Sequence, residues 1–191
     1  MEVIEAIKTR RSIRHYKPDP LDDKALETIM EAARHAPSWA NTQCWRFIVV
    51  RDSSIKAELA DSLAKVVKKS DGTVYNPAFE AIIQAPVVIV ACAKLHQSGY
   101  RYDGTPATDK NEWHMYDVAL AMQNLALAAH ALGLGTVHIG ALDAEKAAEI
   151  LEVPDGYCVV AMTPLGFPER EGKAPPRKDP SEIIFHDKFG H

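Results

Sequence analysis

VALAMQNLALAAHALGL, residues 118–134, is apolar on almost every side when wound as a helix, and only Gln123, Asn124 and His130 interrupt it. A surface helix shows a single apolar stripe, so this one needs cover on most of its sides. The three polar interruptions make it a poor membrane span. It therefore lies beneath a sheet or against a second copy of itself, and composition does not choose between the two. Its reach is read as residues 111–134, from Asn111, with Gly133 as the stop.

Working outward, residues 136–139 read as a short strand. Asp143 caps a helix to Leu151, and residues 157–165 read as a strand running into Gly166. Residues 86–93 are apolar without alternation, the pattern of a strand buried on both faces. Further back, residues 46–51 are β-rich, and Ser53 or Ser54 is placed to cap a helix running to about Lys69. Asp22 caps a helix with Leu26, Ile29, Met30 and Ala33 at helical spacing, ending near Pro37. Val3, Ile4 and Ile7 mark a short amphipathic helix over residues 1–10, and Pro18 and Pro20 forbid helix beyond it. From about residue 168 the chain reads as an extended tail, ending at His191. No repeat or linker divides the 191 residues, so one domain, 1–191, is expected.

Composition excludes several classes. Twenty-two Lys and Arg face 26 Asp and Glu, a net charge of −4, which argues against a nucleic-acid partner. The acidic, amphipathic N-terminus is not a secretory leader, and no apolar run is long enough for a membrane. Cys44, Cys92 and Cys158 are odd in number and far apart, as suits buried thiols in a cytoplasmic protein. The eight histidines show no metal-ligand spacing, and no nucleophile elbow or phosphate-loop motif occurs. An enzyme of this kind leaves the hard chemistry to a cofactor.

Three stretches carry candidate chemistry. Arg10, Arg11, Ser12 and Arg14 put three guanidiniums and a hydroxyl within five residues, donors that match a phosphate. A solvated basic turn explains the same run equally well. Pro37, Ser38, Trp39, Asn41, Gln43, Cys44 and Trp45 lie between a helix and a strand. Ser38 and Asn41 suit a ligand there, whereas Trp45 suits the core. Gly140 follows a strand and permits close approach of a flat ligand, while Gly133 and Gly135 read as a helix stop. Lys173, Arg177 and Lys178 in the tail read, on residues alone, as exposed charge.

Taken together and in order, these pieces resemble the nitroreductase family of FMN-dependent enzymes. The resemblance rests on Arg10-Arg11-Ser12-Ile13-Arg14, on Pro37-Ser38 with Asn41, Gln43 and Trp45, and on the long helix from Asp117 running into Gly133-Leu134-Gly135-Thr136. Pro176-Arg177-Lys178 followed by Glu182-Ile183-Ile184 completes it. It implies an α+β fold with a central, mostly antiparallel sheet flanked by helices, in an intertwined homodimer with FMN sites at the interface. It further implies that Arg10, Arg11, Ser12 and Arg14 hold the FMN phosphate and ribityl chain, and that Arg177, with Lys178, closes from the tail. Pro37, Ser38, Trp39 and Asn41 of the partner chain would line the isoalloxazine. His138, Ile139, Gly140 and Ala141 would lie along the ring, with the Gly140 N–H near flavin N5. The reaction implied is ping-pong: NAD(P)H reduces the flavin, then a nitroaromatic, quinone or other flat small molecule is reduced.

The sequence departs from the family pattern at three places. Cys44 stands where Pro is usual, Trp39 where Ser is frequent, and His138 where Pro is common. Cys44 is read as a packed thiol, Trp39 as narrowing the pocket, and His138 as a titratable group beside the flavin. Residues 98–112 are a possible substrate lid. Alternatives are a non-catalytic flavin binder or sensor, and same-fold branches that remove halogen reductively or consume their own flavin.

Overall fold

The computed structural model describes residues 1–110 and 112–190. At its centre strand β4 (Val87–Lys94) is buried at every position but Lys94. It pairs antiparallel with β1 (Trp45–Val50) on one side and β6 (Tyr157–Gly166) on the other, and β6 pairs with β5 (Gly135–Thr136). The order is β1-β4-β6-β5. Strand side chains alternate, and β4 uses both faces. Val88, Val90 and Cys92 pack with Leu59, Ile82 and Met162 on one side. Val87 and Ile89 meet Ile29, Leu125 and Ala129 on the other, where Ala91 and Ala93 meet Trp45, Val118 and Met122. Each fully buried Val, Leu or Ile contributes about 1.5–3 kcal/mol, so this strand is the anchor of both layers.

Helices cover both faces. On the first are α3 (Ser53–Asp61), α4 (Phe79–Gln84) and α6 (Ala144–Ile150), the last capped by Asp143, whose carboxylate accepts the Lys146 N–H at 3.0 Å. On the second are α2 (Asp23–Arg34), capped by Asp22, and α5 (Trp113–Ala131). The short α1 (Val3–Thr9) touches α5, and its Val3, Ile4 and Ile7 are exposed. The expected α+β architecture, a central antiparallel sheet flanked by helices, is what the structure shows.

The apolar helix lies beneath the sheet, burying Val118, Ala121, Met122, Leu125, Ala126 and Ala129. Most of its positions are buried or partly buried, as its composition suggested, but one face lacks cover within a single chain. Met115, Tyr116, Ala119, Gln123, Ala131 and Leu132 stay exposed, Tyr116 at 58% and Leu132 at 46%. Asn111, its expected first residue, lies outside the described residues, as does His191. Gly133 ends it in the left-handed region at φ +77°, which a residue without Cβ adopts freely.

Three other expectations are corrected. Helix α3 is capped by Asp52, whose carboxylate accepts from Ser54 and Ile55 at 2.8 and 3.1 Å, rather than by Ser53 or Ser54. It ends at Asp61, not Lys69. Beyond it β2 (Val67–Lys68) and β3 (Val74–Tyr75) form a hairpin around Gly72, φ +88°. Helix α4, preceded by Pro77, was not foreseen. The strand over 136–139 shrinks to β5, with Ile139 bridging separately to Met162. Among the described residues no helix is long and apolar enough to cross a membrane.

Candidate functional site

The segment 10–16 is held as a strap beside the end of β6. Ile13 N–H donates to Thr136 O at 2.9 Å, and Glu169 N–H to His15 O at 3.0 Å. Tyr16 buries its ring and donates its hydroxyl to Ile13 O at 2.7 Å. Gly135 must lack a side chain here, because a Cβ would lie 2.7 Å from Ile13. Gly172 brings the tail equally close to Arg11. Between strap and tail opens a cleft of about 640 Å³.

Arg10, Arg11, Arg14, Arg170, Lys173 and Arg177 line that cleft, with Ser12 and His15 among them and Glu171 as the sole acid. Among the described residues none of the six cations has a carboxylate within 4.0 Å. Arg11 instead donates to the carbonyls of Lys8 and Arg10, at 2.8 Å each. Burial, then the charges of Arg11 and Arg177, lower the Arg10 pKa below its ordinary value. Such crowding of like charge is costly without an anion to offset it. The structure thus brings Arg10, Arg11, Ser12, Arg14 and Arg177 together. Lys178 does not line the cleft. Arg170 was missed by sequence reasoning, and Lys173 was read there as exposed charge.

Residues 138–141 adjoin this cluster through Arg10, whose charge acts on His138. The crowding of the His138 ring, and after it Arg10, lowers the imidazole pKa, although the residue retains solvent exposure. Ile139 is buried, and its N–H and C=O pair with Met162 at 2.9 and 3.0 Å. Its side chain is buried in the core cluster with Val90 and Met162. Ala141 O accepts from Ala64 N–H at 3.0 Å and Asn76 Nδ2 at 3.3 Å. Between these two pins Gly140 stands with nothing within 4 Å of where a Cβ would be. Among the described residues its N–H has no partner. An unpartnered donor between two fixed neighbours, with room beside its Cα, is a feature that a ligand can complete. Asn76, which holds it in place, was missed; the Asn-Pro pair at 76–77 was its only signal.

The loop 37–44 lies elsewhere, at the other end of α5. Asp117, 1% exposed, accepts both the Trp39 N–H (3.1 and 3.2 Å) and the Ser98 hydroxyl (2.7 Å). Thr42 Oγ1 and the Cys44 thiol also point at it, at 3.5 and 3.6 Å. Ser38 Oγ accepts the Gln43 N–H at 2.9 Å. Ala40, Asn41 and Gln43 all have positive φ, so this loop holds strained backbone in place through that buried carboxylate. Trp39 rests against Trp113, ring centroids 5.1 Å apart, and Trp113 against Tyr116 at 5.6 Å. Burial, then Asp117, pushes the Cys44 thiol up to about 12, so it is a packed, unreactive group. Residues 98–110 fold back on themselves through the Tyr100–Pro106 bridge and rest on Trp113, whose indole N–H donates to Thr108 at 2.9 Å.

The two halves do not meet within one chain. Thr9 Oγ1 contacts His130 Nε2 at 2.8 Å, so the strap begins beside the C-terminal end of α5. Asp117 and its loop sit at the N-terminal end. At 1.5 Å per residue, Asp117 and His130 are about 20 Å apart along the axis.

Comparison with known proteins identifies the family and the fold. The model of the Nitroreductase family matches residues 7–167. A crystal structure of a nitroreductase family protein from Clostridium novyi NT superposes with a TM-score of 0.74 at 36% identity, covering 100% of this chain and 96% of that one. An FMN reductase (NAD(P)H) from Bacillus subtilis is 28% identical over 98% of this chain and 74% of its own. A 5,6-dimethylbenzimidazole synthase from Rhodospirillum rubrum is 28% identical over 87% of this chain and 82% of its own.

Proposed function

The chain belongs to the nitroreductase family, and on that premise we propose that it is an FMN-dependent NAD(P)H oxidoreductase that reduces a flat acceptor such as a nitroaromatic or a quinone. The observation that supports this most is the cationic cleft, in which among the described residues none of the six cations has a carboxylate within 4.0 Å, together with the pinned Gly140 backbone beyond β5. These residues fit FMN: a doubly charged phosphate needs the first, and a flat ring the second. Arg10, Arg11, Ser12, Arg14 and Arg177 would hold the phosphate and ribityl chain, with Arg170 and Lys173 closing the tail side. His138, Gly140 and Ala141 would lie along the ring.

FMN held by these residues would supply the hydride and electron transfer between a nicotinamide donor and the acceptor. The Gly140 N–H would offer a donor to negative charge on such a ring at little cost in reorganisation, because Met162, Ala64 and Asn76 already fix the backbone on either side. No side chain of the site needs to act as an acid, since water reaches it. We further read the chain as one domain, 1–191, working as a homodimer in the cytoplasm. Its free Cys44, Cys92 and Cys158 suit a reducing compartment. The exposed face of α5 supports a two-fold pair. Laid antiparallel, two such helices set the loop 37–41 of each copy against the cleft of the other.

The test is the visible spectrum of purified protein before and after anaerobic NADH. Yellow bands that bleach are expected; protein colourless after incubation with FMN would sink the reading. The similarity to a 5,6-dimethylbenzimidazole synthase keeps a second reading, in which the chain consumes its own flavin. Under that reading, readmitted oxygen destroys the flavin bands; under ours it restores them.

A further inference from the structure

Outside the arginine cleft, the N-terminal end of α5 gathers rings and charges in one place. Trp39 and Trp113 are tilted by 45° at 5.1 Å, and Trp113 and Tyr116 by 79° at 5.6 Å. Rings tilted this far do not stack flat on one another and leave faces for a further partner. Two of the three are held firmly. The Trp39 N–H donates to Asp117, and the Trp113 indole N–H donates to Thr108. Gly99 makes room for Trp113, because a Cβ there would collide with its ring. Tyr116 stays 58% exposed. Hollows of about 280 and 550 Å³ both border Trp113 and Tyr116. The larger one also borders Lys110 and Glu112. Lys110 has Asp109 at 3.4 Å. Asp103, in the same loop, is used in its own turn, accepting the Thr105 N–H and hydroxyl at 2.9 and 2.6 Å. Glu112 is left over. It stands exposed at the N-cap of α5, yet its carboxylate makes no capping bond. Among the described residues no cation lies within 4.0 Å of it.

Open aromatic faces beside an unpaired carboxylate match an organic cation. The ring quadrupoles attract its charge, and the acid adds a direct pairing. An acceptor must also take electrons, and a flat heteroaromatic cation does both. We infer that Trp113 and Tyr116, with Trp39 beside them and Glu112 at the rim, select among flat acceptors for cationic heteroaromatic rings. This rests on the proposed oxidoreductase reading for its chemical meaning. Such a cation gains one hydride, a proton with two electrons, at a ring carbon and becomes neutral. The nicotinamide donor, from which that hydride comes, is oxidised in turn to its own cation. The neutral product no longer draws on the carboxylate or on the ring quadrupoles, so the reaction itself loosens its hold.

Calorimetric titration of the oxidised, FMN-loaded protein tests this without turnover. The probes are N-methylacridinium and acridine, the same fused rings with and without the charge, at mildly alkaline pH. The cation is expected to bind the parent protein about ten-fold more tightly than acridine does, the sum of a ring-face and a carboxylate contact at a solvent-facing site. Glu112→Gln and Tyr116→Leu should each weaken the cation about three-fold, and together about ten-fold. Both side chains are exposed, so the variants keep the fold, and their FMN content verifies it. Acridine should bind Glu112→Gln as it binds the parent. In turnover with NADH, the KM for N-methylacridinium should rise with its Kd, relative to the KM for the neutral quinone menadione. Equal binding of cation and acridine by the parent protein overturns the inference. So does an equal loss of both in Glu112→Gln, an unchanged cation affinity in the double variant, or a parent protein that binds neither. A parent protein that no donor bleaches would overturn the proposed function instead, while the titration still decides this one.

Discussion

The two ends of α5 hold opposite kinds of polar structure. At the N-terminal end the Asp117 carboxylate is buried and saturated by donors from the loop 37–44 and from Ser98. At the C-terminal end six cations crowd a cleft whose one acid, Glu171, pairs with none of them within 4.0 Å. The first network is complete and fixes backbone. The second is incomplete and stores repulsion that a ligand relieves. A single chain thus carries a finished wall and an unfinished pocket about 20 Å apart. In the proposed homodimer a second copy of the chain would bring one to the other.

The largest effect should come from blocking that meeting. Ala119 lies on the exposed face of α5. Ala119→Arg would place an unpaired charge in a two-fold helix contact, costing several kcal/mol of association, while leaving the monomer folded. Light scattering is expected to show monomer, and flavin to be lost although no residue of the arginine cleft has changed. Full flavin occupancy in a monomeric variant would show that the two ends need not meet.

Asp117→Ala comes next. It strands the Trp39 N–H and the Ser98 hydroxyl, and a lost bond to a buried charge costs about 3 kcal/mol. The midpoint of urea unfolding should fall accordingly. Arg10→Ala removes one cation from the other end, weakening FMN by roughly 1.5–3 kcal/mol, about ten- to a hundred-fold in Kd. Its stability without flavin should hold or rise, since Arg10 is crowded by Arg11 and Arg177. Opposite signs in the two unfolding experiments are the signature of a finished and an unfinished network.

Much of the frame is visible in the sequence because its signals are local. The unbroken apolar run of β4, the Asp22 and Asp143 caps and the Gly133 stop each act within a few residues. The hairpin was hidden because Val66, Val67 and the lysines after them also suit a helix, and only the Asp71-Gly72 turn argues otherwise. Helix α4, at six residues, is too short to show a period. The strap arginines are adjacent in sequence and could be read together. Arg170 joins them only because Gly172 lets the tail approach Arg11. Asp117 gave no warning, because a lone acid near a helix start reads as an ordinary solvated residue until the loop that needs it is seen folded.

The smallest effect concerns His138, on which the charge of Arg10 at the unfinished end acts. Its pKa is depressed first by burial and then by Arg10. A depressed histidine favours the neutral ring, so the stability it contributes is present above the ordinary imidazole value of about 6.5. That contribution is lost as pH falls through the lower folded value. A phosphate placed against Arg10 offsets the second cause but not the first. The His138 pKa, followed by the imidazole resonances in NMR, should therefore rise on adding FMN while staying below that of an exposed histidine. By linkage, FMN should bind somewhat more tightly as pH is lowered through this range, and His138→Gln should flatten that dependence. Cys44, at the finished end, provides the control. Its thiol, pushed up to about 12, should stay protonated with or without flavin, and should resist alkylating reagents in both states. A His138 titration that ignores FMN would place the phosphate away from Arg10.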